Sequence, residues 1–138
     1  MSNKNFITWK DNFSVKVPSI DQQHKKLVEL INELYNKFYA GIDNEYLHKI
    51  FQELEDYAVY HFNYEEKFMK LHGFKGYAEH QKEHESFKEK IGVYKQNLDA
   101  GNTSDMIDLI TFLKDWLLKH IMGTDQKYAG LFQEKGLK

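Results

Sequence analysis

Seven histidines stand in this chain of 138 residues: His24, His48, His61, His72, His80, His84 and His120. Three of the segments around them have spacings that bear on chemistry. His61-Phe62-Asn63-Tyr64-Glu65 is H-x3-E, His80-Gln81-Lys82-Glu83-His84 is H-x3-H, and His120 to Asp125 is H-x4-D. Imidazole nitrogens and carboxylate oxygens together make a donor set for a transition metal. On a helix, residues four apart lie about 40° apart in angle and one turn apart in height, so their side chains share a face. His61 and Glu65 can therefore reach one centre from one helix, and His80 and His84 from another.

The third spacing is different. Five residues turn an ideal helix through about 500°, which leaves Asp125 about 140° off the face of His120. The two converge only if the helix ends or unwinds between them, and Gly123 sits where that can happen. Each pair alone reads as readily as a solvated pair. The weight lies in their joint placement, because each falls on the apolar stripe of its helix, where an unpartnered histidine is costly. His48 has no partner at ligand spacing, and His72 closes a helix where a cation suits the dipole, so both are expected at the surface.

Four helices are needed to position these groups. Residues 1–17 have no helical period and read as an arm that Trp9, Phe13 and Val15 can pin to the rest. After Pro18, Ser19-Ile20-Asp21-Gln22 fits a capping box. Leu27, Leu30, Ile31, Leu34, Tyr35 and Phe38 then continue an amphipathic stripe to Gly41. A second helix, capped by Asp43 or Asn44, carries Leu47, Ile50, Phe51, Leu54, Ala58, His61, Phe62, Glu65, Phe68 and Met69 to His72-Gly73. A third runs from about 76 to 98 with Tyr77, His80, His84, Phe87, Ile91 and Tyr94 inward. After the loop Ala100-Gly101-Asn102, Thr103 or Ser104 caps a fourth with Ile107, Ile110, Phe112, Leu113, Trp116, Leu117, His120 and Ile121. Short loops make neighbours antiparallel, so the expected fold is all-α, an up-down-up-down four-helix bundle. It is expected as one domain over 1–138: arm 1–17, bundle 19–123 and tail 124–138, with one further short turn of helix after Tyr128.

Composition narrows the function. There is no cysteine, which removes disulfides, thiolate-held zinc, iron–sulfur clusters and a cysteine nucleophile. The net charge is −2, with 19 basic and 21 acidic residues dispersed along the chain, so no basic stripe suits nucleic acid. No run reaches the roughly 18 apolar residues of a membrane span. Met1 to Asp11 has no apolar signal stretch, which leads us to expect a cytoplasmic protein. Phosphate-loop, nucleophile-elbow and H-E-x-x-H motifs are missing.

The chain resembles the hemerythrins, specifically the bacterial single-domain members, over nearly its whole length. The resemblance rests on Trp9, Ile20-Asp21-Gln22-Gln23-His24, His61-Phe62 with Glu65-Glu66 and Met69, His80-x3-His84 with Phe87, and Trp116-Leu117 with His120-Ile121 and Asp125. It implies seven metal ligands: His24, His61, Glu65, His80, His84, His120 and Asp125. It also implies the cofactor, two iron ions with an oxo or hydroxo bridge and with Glu65 and Asp125 bridging as well. By the same resemblance His80, His84 and His120 complete one iron, while His24 and His61 leave the other an open position.

An open position suits end-on dioxygen, held as bound peroxide, and the implied role is a reversible oxygen carrier rather than an enzyme. Leu27, Phe62, Trp116, Leu117 and Ile121, within a turn of ligands, can line a dry dioxygen pocket or simply belong to the core. Dioxygen is the expected partner, with a reductase or an oxygen-consuming enzyme as further candidates. An oxygen or redox sensor, or an enzyme handling peroxide or nitric oxide, is the alternative on the same scaffold.

Overall fold

The computed structural model describes residues 6–41, 43–100 and 106–138. Among them every regular element is helical: α1 (Pro18–Tyr39), α2 (Asn44–Leu71), α3 (Tyr77–Asp99), α4 (Met106–Lys119) and α5 (Gln126–Glu134), after a 3₁₀ turn at Asp11–Phe13. α1 packs on α2 and α4, and α3 packs on α2 and α4, which closes a four-helix ring. The segments 40–43, 72–76 and 100–105 that join successive helices are short, so neighbours run antiparallel.

The helix ends follow local chemistry, with one correction. α1 starts at Pro18, not after a Ser19 cap, and no side chain caps it. Proline's fixed φ suits the first helical position and it has no N–H to satisfy, so the capping box is not needed. Ser19 Oγ instead accepts from the Tyr64 hydroxyl at 2.8 Å. Asp21 accepts from Ser14 Oγ at 2.5 Å and from the Val15 N–H at 2.9 Å, which ties the arm to α1. Asp43 caps α2 through the Tyr46 N–H at 3.0 Å. α2 ends in a Schellman motif, with Phe74 N–H on Met69 O at 2.9 Å, Gly73 N–H on Lys70 O at 3.3 Å, and Gly73 at φ 66°. The Thr103 or Ser104 cap and the Gly101-Asn102 loop lie outside the described residues.

The apolar stripes bury as their period requires, except at the start of α4. Ile107 is 54% exposed, while its neighbour Met106 and Leu109 turn inward. The tail is also more than a turn: α5 spans nine residues and buries Tyr128, Ala129 and Phe132. Two apolar clusters result. The larger runs along the bundle from Leu27, Leu34, Leu54 and Phe62 to Phe87, Leu113 and Ile121. The smaller joins Val15, Val17, Ile20, Met69, Tyr128, Ala129 and Phe132. The chemistry-bearing residues lie where the two clusters meet, with Phe62 and Ile121 of the larger one set among them along the chain.

Candidate metal centre

All seven expected donors meet in this layer and each is at most 2% exposed. His24 comes from α1, His61 and Glu65 from α2, and His80 and His84 from α3. His120 and Asp125 bracket the junction of α4 and α5. Residues 120–124 form a π turn, closed by the Asp125 N–H on the His120 carbonyl at 2.8 Å. An i→i+5 bond widens the turn, so five residues return near the starting face instead of overshooting it. The α-helix thus gives way to an underwound turn between the two, as their convergence requires. Gly123 has no left-handed φ, so the turn does not demand a glycine backbone there.

The donors form two groups, in each of which the ligand atoms all lie within 4.8 Å of one another. One holds Glu65, His80, His84 and His120, and the other His24, His61, Glu65 and Asp125. Asp125 faces both: Oδ1 lies 2.9 Å from His80 Nε2 and 2.9 Å from His120 Nε2, and Oδ2 lies 3.0 Å from His24 Nε2. Glu65 Oε1 also faces both, 3.1 Å from His61 Nε2 and 3.3 Å from His84 Nε2.

These contacts fit a cation better than they fit one another. The Nε2 atoms of His24, His61 and His80, Glu65 Oε1 and both oxygens of Asp125 are buried without a well-aligned hydrogen bond despite their closeness. Two donors each about 2.1 Å from a shared ion and about a right angle apart are themselves about 3 Å apart. The observed spacings are of that size, and six orphaned donor atoms in a dry layer would otherwise be costly.

Further residues hold this layer from outside. His61 Nδ1 meets Gln23 Oε1 at 2.7 Å and His84 Nδ1 meets Glu66 Oε2 at 2.8 Å. Glu83 lies 3.7 Å from His120 Nδ1 and accepts from Thr124 Oγ1 at 2.9 Å. The Tyr128 hydroxyl donates to Glu65 Oε2. Sequence reading missed these roles. Glu66 and Glu83 adjoin donors in sequence, and Tyr128 is one turn past Asp125, but nothing local says which ring each would face.

Electrostatics of the metal-free layer balance two anions with protons. Burial alone would raise Glu65, yet the imidazoles, His61 foremost, hold it well below the ordinary carboxylate range. Burial and the Glu65 charge oppose ionisation of Asp125, but His120 and His24 keep it below that range. Burial works against protonated His80 and His120, but Asp125 and Glu65 raise them to about 9 and about 10. His61 goes the other way, lowered by burial. Tyr128 is pushed well above the phenol range by burial and by the charges of Asp125 and Glu65.

Of the residues expected to line a dioxygen pocket, Leu27, Phe62, Leu117 and Ile121 are buried in the larger cluster and Trp116 packs against it. Phe62 stacks on His84 with ring centres 3.9 Å apart, and Trp116 stacks on His120 at 4.4 Å. Both rings thus roof the three-histidine group. His48 and His72 lie outside the layer. His48 pairs with Asp99 at 2.6 Å with its side chain 37% exposed, and His72 caps α2.

Comparison with known proteins agrees with this geometry. The family profile described as Hemerythrin HHE cation binding domain matches residues 15–132. The chain is 33% identical over 124 residues to a bacteriohemerythrin of Stenotrophomonas maltophilia (strain R551-3), covering 89% of this chain and 79% of that one. It is 31% identical to a bacteriohemerythrin of Clostridium acetobutylicum, covering 87% and 96%. A crystal structure of wild-type hemerythrin superposes with TM-score 0.82 at 29% identity over 91% of this chain and 96% of that one.

Proposed function

The chain belongs to the hemerythrin HHE cation-binding family, and from that premise we propose that it is a non-heme diiron protein that binds dioxygen reversibly. It does so as a single cytoplasmic domain over residues 1–138, as a carrier or store and not as an enzyme. His80, His84 and His120 hold one iron and His24 and His61 the other, with Glu65 and Asp125 shared. The observation that carries this reading is the split of the buried donors into a three-histidine and a two-histidine group with Glu65 common to both.

Two iron ions, when bound, supply the paired, reversible electron donation that dioxygen binding requires. The chain's own residues set the conditions for it. Glu66 and Gln23 fix His84 and His61 with Nδ1 turned outward, which leaves their Nε2 atoms as donors. Tyr128 occupies Glu65 Oε2 and so turns Oε1 toward both groups. Phe62 and Trp116 keep water from the faces of His84 and His120. Leu27, Leu117 and Ile121 supply apolar surface on the same side of the layer, and a dry site limits the loss of reduced oxygen to solvent. Neutral imidazoles outnumber carboxylates, a donor set that favours release over O–O cleavage.

The test is iron content together with the visible spectrum of anaerobically reduced protein, then in air, then under argon. Two irons per chain and a band that develops in air and fades under argon support the carrier reading. Irreversible oxidation in air, or turnover of peroxide or nitric oxide, replaces it with an enzyme or sensor. His24→Ala and His61→Ala should each abolish the air-dependent band while leaving the helical circular dichroism in place. An unchanged band in either variant would show the ligand assignment to be wrong.

A further inference from the structure

The outward nitrogens of His84 and His61, one from each group, have partners of unlike charge. Glu66 Oε2 lies 2.8 Å from His84 Nδ1. A carboxylate only accepts, so the ring proton is on Nδ1 and the Nε2 lone pair faces the donor layer. Glu66 is well fixed there: its side chain is 12% exposed and its Oε1 accepts from Gln81 Nε2 at 3.5 Å. A second anion, Glu83, stands on the same side, 3.7 Å from His120 Nδ1. Behind His61 the partner is the neutral carboxamide of Gln23, at 2.7 Å and only 6% exposed.

We infer that the chain ranks its two metal positions through these partners, with Glu66 making the His80, His84 and His120 position the firmer holder of a ferric ion and Gln23 leaving the His24 and His61 position the first to be reduced. The inference rests on the diiron reading above. A carboxylate hydrogen-bonded to one imidazole nitrogen draws on its proton and makes the opposite nitrogen a stronger donor, whereas an amide does so less. A stronger donor favours the more highly charged ion, and the difference is felt fully in a buried layer. Glu66 and Gln23 are therefore positioning residues that act through His84 and His61. One electron from dithionite, given by the sulfur dioxide radical anion as it becomes sulfur dioxide, converts a ferric pair to one ferric and one ferrous ion. The ferric ion that remains is on the three-histidine side.

The experiment is a stepwise reductive titration of iron-loaded wild type, Glu66→Gln and Gln23→Glu, with iron content and iron affinity measured alongside. Wild type should show two separated one-electron steps. Glu66→Gln should raise the lower-potential step and leave the upper one in place, and should weaken iron binding by about ten- to a hundredfold. Gln23→Glu should lower the upper step. Both variants therefore narrow the range in which the half-reduced form persists, from opposite sides. A purely structural role would lose iron or stability without this crossed pattern. Shifts of the same step in both variants, or none in either at full iron content, overturn the ranking. If Glu66→Gln does not retain two irons, Gln23→Glu decides alone, because an unmoved upper step there refutes the inference. Wild type that binds no iron refutes the diiron reading itself, a result distinct from an unranked pair of irons.

Discussion

The larger apolar cluster takes most of its side chains from the stripes of all four long helices, with Ile7 and Phe13 added from the arm, whereas the smaller one on the other side of the donor layer is assembled from ends. Val15 and Val17 come from the arm, Ile20 from the first turn of α1, Met69 from the last turn of α2, and Tyr128, Ala129 and Phe132 from α5. The larger cluster is redundant, since each helix contributes several turns to it. The smaller one has few members and one of them, Tyr128, hydrogen-bonds a donor, whereas the larger meets the donors through stacked rings, Phe62 on His84 and Trp116 on His120. The difference separates their tasks: the larger holds the bundle together and roofs one side of the donor layer, and the smaller closes the other side and holds Glu65.

The strongest test of that division is a pair of core truncations with overlapping expected costs. Leu54, 1% exposed, lies in the larger cluster and Phe132, fully buried, in the smaller. Leu54→Ala and Phe132→Ala should each cost about 2–5 kcal/mol in chemical denaturation. Only Phe132→Ala should also weaken metal binding, because the ring stacked on Tyr128 at 4.3 Å is then gone. Equal loss of metal affinity in the two variants would erase the distinction between the clusters.

The two regions also differ in how far they can be read from sequence. The larger cluster is periodic within each helix, so Leu30, Leu34, Leu47, Ile50, Phe51, Leu54, Ile91 and Leu113 all follow from i, i+3, i+4 spacing, and all are buried. The exception is Ile107, where a helix start offers too few turns to fix its phase. The smaller cluster is joined by contacts between distant parts of the chain. Val15 and Val17 have no helical period around them, and α5 read only as a short turn. Of the donors, the i, i+4 pairs were legible from spacing. His24 has no local partner and enters the expected set only through resemblance to a family. Asp125 required a break in helical register, which takes the form of a π turn that no propensity announces.

Acidity gives the next contrast. In the metal-free protein His80 and His120 are raised to about 9 and about 10. The folded chain then keeps protons that the unfolded chain has already released near pH 6.5. That stability is whole below about pH 6.5 and is lost as pH rises through about 9 and about 10. His61 is lowered, so its contribution runs the other way and is lost as pH falls below its ordinary value. Glu65 and Asp125, both depressed, act likewise at lower pH. Melting of the metal-free protein should thus be highest near neutrality and fall toward pH 10 by an amount on the order of a few kcal/mol. Metal takes the place of those protons, so loading should remove the alkaline fall. Leu54→Ala should lower the whole curve in parallel. Phe132→Ala should flatten its alkaline limb by letting water into the layer, and parallel curves for both variants would contradict the proposed coupling.

Tyr128→Phe isolates the one hydrogen bond that joins the smaller cluster to the donors. It retains the ring and its contacts but leaves Glu65 Oε2 buried without a donor, a loss of about 1–3 kcal/mol. The expected result is a lower melting temperature in the metal-free protein and faster metal loss to a chelator. The change should be smaller than in Phe132→Ala, because the packing of Phe74 and Phe132 on the ring is kept. If metal release were unaffected, the smaller cluster would act on the layer through packing alone.

The smallest effect is expected at Gly123, and it bears on what makes the π turn. Glycine there invites the reading that a flexible residue lets His120 and Asp125 converge. The backbone argues otherwise, since Gly123 has no left-handed φ and a Cβ added to it would meet nothing within 4 Å. What holds the turn is what surrounds it. His120 and Asp125 are both drawn into the donor layer, and Gln126 Nε2 donates to the Ile121 carbonyl at 3.2 Å and to Ser14 O in the arm at 3.2 Å. Gly123→Ala should therefore stabilise the fold by about 0.4–1 kcal/mol, through a less free unfolded chain, with metal content unchanged. Loss of metal in that variant would return the cause of the turn to the glycine. Retention, combined with loss in Phe132→Ala, would place it in the packing of α5 against the arm.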